Sequence, residues 1–182
     1  ESRAARRLLC VGSLQPHKNL PRLIRAFQQL QSEFPDLELH VVGRPQPRFA
    51  KDPDLPRLLE SPGVKVLGYL SEQALADAYA TSAVFCYPSL EEGFGLPILE
   101  AMSVGTIVVT SNASCLPEVA GDRAILVDPF SVESIAGGLR QALTLEQSRR
   151  EQMVAAGRDW VRQFSWQRSA QEYLKIYSEL LS

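Results

Sequence analysis

A chain of 182 residues, 45% hydrophobic and 22% charged, is sized for one α/β domain with a substantial core. Its formal net charge of -2 gives no global electrostatic attraction to nucleic acid or to an anionic membrane, and no apolar run approaches the roughly 20 residues of a spanning helix. The three cysteines (Cys10, Cys86, Cys115) and two histidines (His17, His40) form no C-x-x-C or zinc-like spacing, so no metal site is expected.

The first residues, Glu1 to Arg7, lead straight into a strand without a signal-peptide core. There is no initiator Met, which predicts a piece cut from a longer chain. Cys10 and Cys86 lie in apolar strand-like runs and are expected to be buried, in keeping with a reducing, cytoplasmic setting.

Strand-like runs then alternate with helical patterns. Residues 8–11 form a first strand ended by Gly12; Asn19 can cap a helix with Pro21 near its start and Leu23, Ile24, Phe27 and Leu30 as its apolar stripe. Residues 37–42 form a second strand ended by Gly43. Residues 45–62 hold five prolines and read as a loop with one short helix at 55–59. A third strand spans 64–67, and Ser71 can cap a helix whose inner face carries Leu75, Ala78 and Tyr79. Residues 83–87 form a buried strand; 106–110 and 124–127 are two more, and helices are expected over 132–143, 146–164 and 166–181. Six strands alternating with helices predict a parallel, doubly wound, Rossmann-like sheet covered on both faces. Ligands of such sheets sit beyond the carboxyl ends of the strands.

The most informative of those ends is Glu92-Gly93-Phe94-Gly95-Leu96-Pro97-Ile98-Leu99-Glu100. A strand, a two-glycine turn and a helix preset by Pro97 can face an anion with backbone N–H groups. Glutamate in the first turn of a helix is favourable for the macrodipole alone, by about 0.3–1 kcal/mol. That accounts for Glu100 but not for Glu92 and Phe94 around the glycines. A carboxylate can accept two hydrogen bonds from a vicinal diol, which suits Glu100 to a ribose and Glu92 to the hydroxyls of a sugar. Lys18, beside another helix N-terminus, suits an anion, although taken in isolation a solvated lysine near a cap is the more ordinary reading. Gly43-Arg44 allows close backbone approach or is simply a strand-ending turn. Ser111 to Ser114 and Glu118 add polar groups at a further strand end. No Walker, dinucleotide or nucleophile-elbow motif is present, so nucleotide triphosphatase, nicotinamide enzyme and serine hydrolase lose support.

Together these residues resemble the C-terminal, donor-binding domain of family 4 retaining glycosyltransferases of the GT-B fold. The resemblance runs from Val11-Gly12-Ser13-Leu14 and His17-Lys18-Asn19-Leu20 through Val66-Leu67-Gly68-Tyr69-Leu70 to Tyr87-Pro88-Ser89 and the Glu92–Glu100 motif. It continues through Leu116-Pro117-Glu118-Val119 and Leu126-Val127-Asp128-Pro129 to Phe164-Ser165-Trp166. It implies that Glu100 holds the ribose of a nucleotide-sugar. Glu92, with the backbone of Gly93, Phe94, Gly95 and Leu96, would hold the transferred sugar and the distal phosphate. Gly12, Ser13 and Gly43 would belong to the donor site, with Lys18 neutralising the diphosphate, and Leu67, Gly68 and Tyr69 would face the base. Lys18 and Glu92 are the implied catalytic pair, and no metal is needed. Most relatives carry Arg where this chain has Ser13, with His17 and Arg44 as weak substitutes for that cation.

The implied function is retaining transfer of a hexose, mannose by family branch, from a GDP- or UDP-sugar to an acceptor hydroxyl in polysaccharide or glycoconjugate synthesis. The family places the acceptor half on a preceding domain absent from these 182 residues, so weak donor binding and poor turnover are expected, with peripheral membrane association open for the full enzyme. The terminal helix, 165–182, carries an apolar stripe that would be exposed without that domain. The alternatives are a non-catalytic interaction module, which would bind no nucleotide, or half of a GT-B epimerase or phosphorylase.

Overall fold

A computed structural model describes residues 6–44 and 53–181; residues 1–5, the proline-rich segment at 45–52 and residue 182 lie outside the described residues. Six strands form one sheet: β1 (Arg7–Val11), β2 (Glu38–Val42), β3 (Val64–Gly68), β4 (Val84–Tyr87), β5 (Ile107–Ser111) and β6 (Ile125–Val127). Every pairing is parallel and the order is β3-β2-β1-β4-β5-β6. This is the expected doubly wound sheet, and each expected strand lies within a residue or so of the observed one.

The connecting helices are α1 (Leu20–Leu30), α2 (Leu55–Leu59), α3 (Glu72–Thr81), α4 (Leu96–Val104) and α5 (Leu116–Ala120), followed by α6 (Val132–Leu143), α7 (Gln147–Val161) and α8 (Trp166–Leu180). Successive strand residues point to opposite faces. Leu8, Cys10, Cys86 and Val109 therefore pack with Leu23, Ile24, Phe27 and Leu30 of α1, and with Ile135 and Leu139 of α6. Leu9, Phe85, Tyr87 and Val108 pack instead with Tyr79, Ile98, Met102 and Leu116 from α3, α4 and α5. Both expected buried thiols are in place, and burial pushes Cys10 up to about 12. Each fully buried leucine or phenylalanine in these layers contributes about 1.5–3 kcal/mol relative to exposure.

The two-sided cover fails at one edge: Lys65, Val66 and Leu67 of β3 are all exposed. α8 departs further from a packed helix. Ser165 caps it by accepting from the Arg168 N–H at 3.1 Å, yet none of its residues is buried, and Trp166, Tyr173, Leu174, Ile176, Tyr177 and Leu180 all face solvent. Among the described residues no helix is long and apolar enough to cross a membrane.

The strand order reverses between β1 and β4. From β1 the chain winds outward to β2 and β3, and α3 then carries it back to β4 on the other side of β1. The loops leaving β1 and β4 diverge to opposite sides, which opens a crevice at their carboxyl ends.

Candidate functional site

Lys18 and Glu92 meet in that crevice. Gly12 ends β1, a short 3-10 turn (Pro16–Lys18) follows, and Asn19 closes it in a left-handed conformation at φ 59° before α1 begins. The turn lays the Lys18 stem over Gly12, where a Cβ would lie 3.0 Å from Lys18 Cε. Lys18 Nζ donates to Glu92 Oε1 at 2.6 Å and to the Tyr87 hydroxyl at 2.7 Å. Only 13% of the lysine side chain and 12% of the glutamate side chain are exposed, so this pair is far less screened than a surface ion pair. Burial raises the Glu92 carboxyl, but the Lys18 hydrogen bond and charge, with the nearby hydroxyls of Ser89 and Tyr87, outweigh it and hold the group below the ordinary carboxylate range. Burial and the same carboxylate raise Tyr87, so its phenol stays protonated. Ser89 is itself buried, and its hydroxyl lies near both groups without closing a well-formed hydrogen bond.

Asn19 does not cap α1 with its side chain. The buried Nδ2 instead donates to Pro88 O at 3.0 Å and Pro129 O at 2.6 Å, tying the loops after β4 and β6 to the start of α1. Other side chains hold the rest of the loop after β4. Thr110 Oγ1 donates to Tyr87 O at 2.8 Å and Ser111 Oγ to Ser89 O at 2.7 Å, while Leu90 N donates to His17 O at 2.7 Å. The tip is held by Ser114 and Cys115, which contact the carbonyls of Glu92 and Phe94.

Of the two glycines in the turn, only Gly95 needs its lack of a side chain for conformation, at φ 107°. Gly93 has ordinary φ, and a Cβ there would meet nothing within 4 Å, so it borders open space. Gly95 is the N-cap of α4 and Leu96 its first residue. Glu100 is therefore the fifth residue of the helix and not in its first turn, so the macrodipole reading falls away. Glu100 is exposed, and Tyr79 Oη donates to its Oε2 at 2.8 Å. Burial, then the Glu100 charge, raises Tyr79 and keeps it a donor. Phe94 is half-exposed and packs edge-on against Phe164, which packs in the same way on Trp160. Phe164, the first residue of the late Phe164-Ser165-Trp166, thus supports the turn from α7's end.

The remaining expected residues divide. Gly43 is placed by backbone packing, since a Cβ there would lie 1.9 Å from Gly12 O, and its N–H donates to Gly68 O at 2.8 Å. Gly12, Gly43 and Gly68 thus form one row across the sheet's carboxyl edge. Ser13 is half-buried beside them, while Leu67 and Tyr69 project into solvent at the β3 end of the row. Arg44 and Glu118 are exposed, and His17 meets the site through its carbonyl. A groove of about 850 Å³ between α4 and α8, lined by Phe94, Leu96, Glu100, Trp166 and Tyr173, adjoins Glu100.

The sequence marks Tyr79 as core-facing, Tyr87 as the end of a strand and Ser114 as one polar group among several, and it gives neither these nor Cys115 the contacts they make here. The signal for the tyrosines was available: each lies on the buried face of its element, and a buried phenol must find a polar partner. The Ser114-Cys115 contacts join residues more than twenty positions apart, and no local pattern marks them.

Chemically, the site sets one shielded cation beside a turn whose Gly93, Phe94 and Gly95 N–H groups meet no acceptor among the described residues, with a carboxylate at either end. A family model described as "Glycosyl transferases group 1" matches residues 3–160. The chain is 38% identical over 180 residues to the O-antigen chain mannosyltransferase B of Escherichia coli, spanning 94% of this chain and 45% of that protein. It is 33% identical over 186 residues to the MMP alpha-(1->4)-mannosyltransferase of Mycolicibacterium hassiacum, spanning all of this chain and again 45% of the relative. Among solved structures, a sucrose-phosphate synthase from Thermosynechococcus elongatus superposes with a TM-score of 0.84 at 25% identity, over 100% of this chain and 47% of that one. The chain therefore spans about half the length of the relatives that it matches.

Proposed function

The chain belongs to the glycosyl transferases group 1 family, with the Rossmann-like sheet of a GT-B fold, and from that premise we propose that it is a donor domain that binds a nucleotide-diphospho-sugar and supports retaining transfer of the hexosyl group. The observation that carries this reading is Lys18 Nζ, held in the β1/β4 crevice by Glu92 and Tyr87 beside an N–H-lined turn. The names of the two mannosyltransferase relatives favour mannose and an O-antigen-like or related glycan as acceptor.

In this reading the diphosphate lies between Lys18 and the turn Gly93–Gly95. As the glycosidic C–O bond breaks, negative charge grows on the departing phosphate oxygen. A fixed ammonium and fixed N–H groups stabilise that charge without reorganising, which is where the rate gain arises. Lys18 shares its three protons between Glu92, Tyr87 and the incoming phosphate. Glu92, close to the sugar, accepts from its hydroxyls, and Glu100, oriented by Tyr79, accepts from the ribose diol. In the row of Gly12, Gly43 and Gly68 only Gly68 borders open space, on the side assigned to the base, with Ser13 offering the diphosphate a neutral donor. The chemistry is assigned to these groups, without a metal.

The bare apolar face of α8 docks in this reading on an acceptor domain contributed by the rest of a longer enzyme, which also carries the acceptor site. These 182 residues alone then bind donor weakly and turn over poorly. The test is calorimetric titration of the chain with GDP- and UDP-hexoses, alongside Lys18→Ala and Glu100→Ala. Binding of one donor, weakened in both variants, is expected; no binding of any nucleotide-sugar would refute the reading in favour of a non-catalytic module.

A further inference from the structure

The turn Glu92–Gly95 is gripped from beneath by two adjacent side chains of the β5–α5 loop. Ser114 Oγ donates to Glu92 O at 3.0 Å and lies 3.3 Å from the Glu92 N–H, which donates back to it. Cys115 Sγ shares its proton between Glu92 O at 3.2 Å and Phe94 O at 3.1 Å. Ser114 reaches this position only at φ 58°, a left-handed conformation that a serine adopts when its surroundings require it.

The direction of these bonds matters more than their number. In a planar trans peptide the C=O of one residue and the N–H of the next point opposite ways. Drawing the carbonyls of Glu92 and Phe94 down onto Ser114 and Cys115 therefore turns the N–H groups of Gly93 and Gly95 up and away from that loop. Neither N–H, nor that of Phe94 between them, meets an acceptor among the described residues, and the space over Gly93 is open. The exposed Gly93 and the buried Gly95 thus each hold an N–H turned away from the brace, next to the carboxylate that holds Lys18.

We propose that Ser114 and Cys115 are positioning residues for diphosphate recognition: they fix the peptide planes at Glu92–Gly93 and Phe94–Gly95 so that both N–H groups address the distal phosphate. The inference rests on the donor-site reading above. A loop that merely packed under the turn would support all ligands alike. This brace acts on the distal phosphate, so its removal changes the preference for a nucleoside diphosphate over the corresponding monophosphate.

The experiment is calorimetry on the chain with ADP, GDP and UDP and with AMP, GMP and UMP. It compares the parent with Ser114→Ala/Cys115→Ala, Cys115→Ala and Cys115→Ser, with folding followed by thermal melting. The parent is expected to prefer one diphosphate to its monophosphate. The double variant should lose about tenfold in diphosphate affinity while monophosphate affinity stays within about twofold, and Cys115→Ser, which keeps a donor, should retain most of the preference. If the double variant does not fold, Cys115→Ala against Cys115→Ser carries the same comparison. Equal weakening of both ligand classes, or an unchanged preference, overturns the brace. A parent that binds no nucleotide at all overturns the donor-site reading itself, and the brace with it.

Discussion

Glu92 and Glu100 belong to one turn-and-helix unit, yet the structure treats its two ends in opposite ways. Glu92 is shielded, its carboxylate closed onto Lys18 and its backbone held by Ser114 and Cys115. Glu100 stands exposed on α4, with one tyrosine hydroxyl as its support. The first end is tied into the fold; the second is held by one hydroxyl and stands open to solvent. A residue that holds the fold together cannot be removed without structural cost, whereas an exposed one can.

Lys18→Ala should give the largest effect and blur the contrast most. It removes the cation from the crevice and strands Glu92, so diphosphate affinity should fall by about 10–100-fold. Stability in denaturant titration should also drop by about 1–3 kcal/mol, less than for a fully buried pair because both side chains keep some solvent contact. Glu100→Ala is expected to separate affinity from stability. Donor affinity should fall about tenfold while stability stays within about 1 kcal/mol of the parent. A stability loss equal to that of Lys18→Ala would show that the two ends are built alike.

The tyrosines give a finer comparison. Tyr87→Phe removes a partner of a shielded ammonium and should cost about 1 kcal/mol of stability as well as affinity. Tyr79→Phe removes only the orientation of an exposed carboxylate, so calorimetry should show a few-fold loss of donor affinity and melting a smaller shift.

The smallest effect is the pH dependence carried by Glu92. Its folded carboxyl is held below the ordinary value, so over that interval the unfolded chain binds more protons than the folded one. Its contribution is complete above the unfolded value of about 4.3 and is lost as pH falls through the lower folded value. Melting curves taken from about pH 6 down to about pH 3 should therefore fall more steeply for the parent than for Glu92→Gln. Parallel curves would mean that Lys18 does not stabilise the ionised carboxylate.

The sequence alone determined the strand order of events along the chain, the helix over 132–143 to the residue, and the presence of Lys18 and Glu92 at strand ends. Those features follow from short-range causes: alternation, helical periodicity, and glycine or proline at the turns. The same local reasoning placed Asn19 rightly at the N-cap of α1 without showing that its side chain bonds elsewhere, and it misread Glu100 as a first-turn residue. Asn19 gains more from two distant carbonyls than from its own helix, and α4 begins with Leu96, one residue before Pro97. Only the tertiary structure decided that Lys18 closes on Glu92 seventy-four positions away, that Tyr87 completes the pair, and that Ser114 and Cys115 set the faces of the turn. Those contacts exist because the sheet reverses its order between β1 and β4, and no window of the sequence contains both strands together with β5. The α8 stripe shows the same limit from the other side: its periodicity was plain in the sequence, and the fold decided that it stays bare.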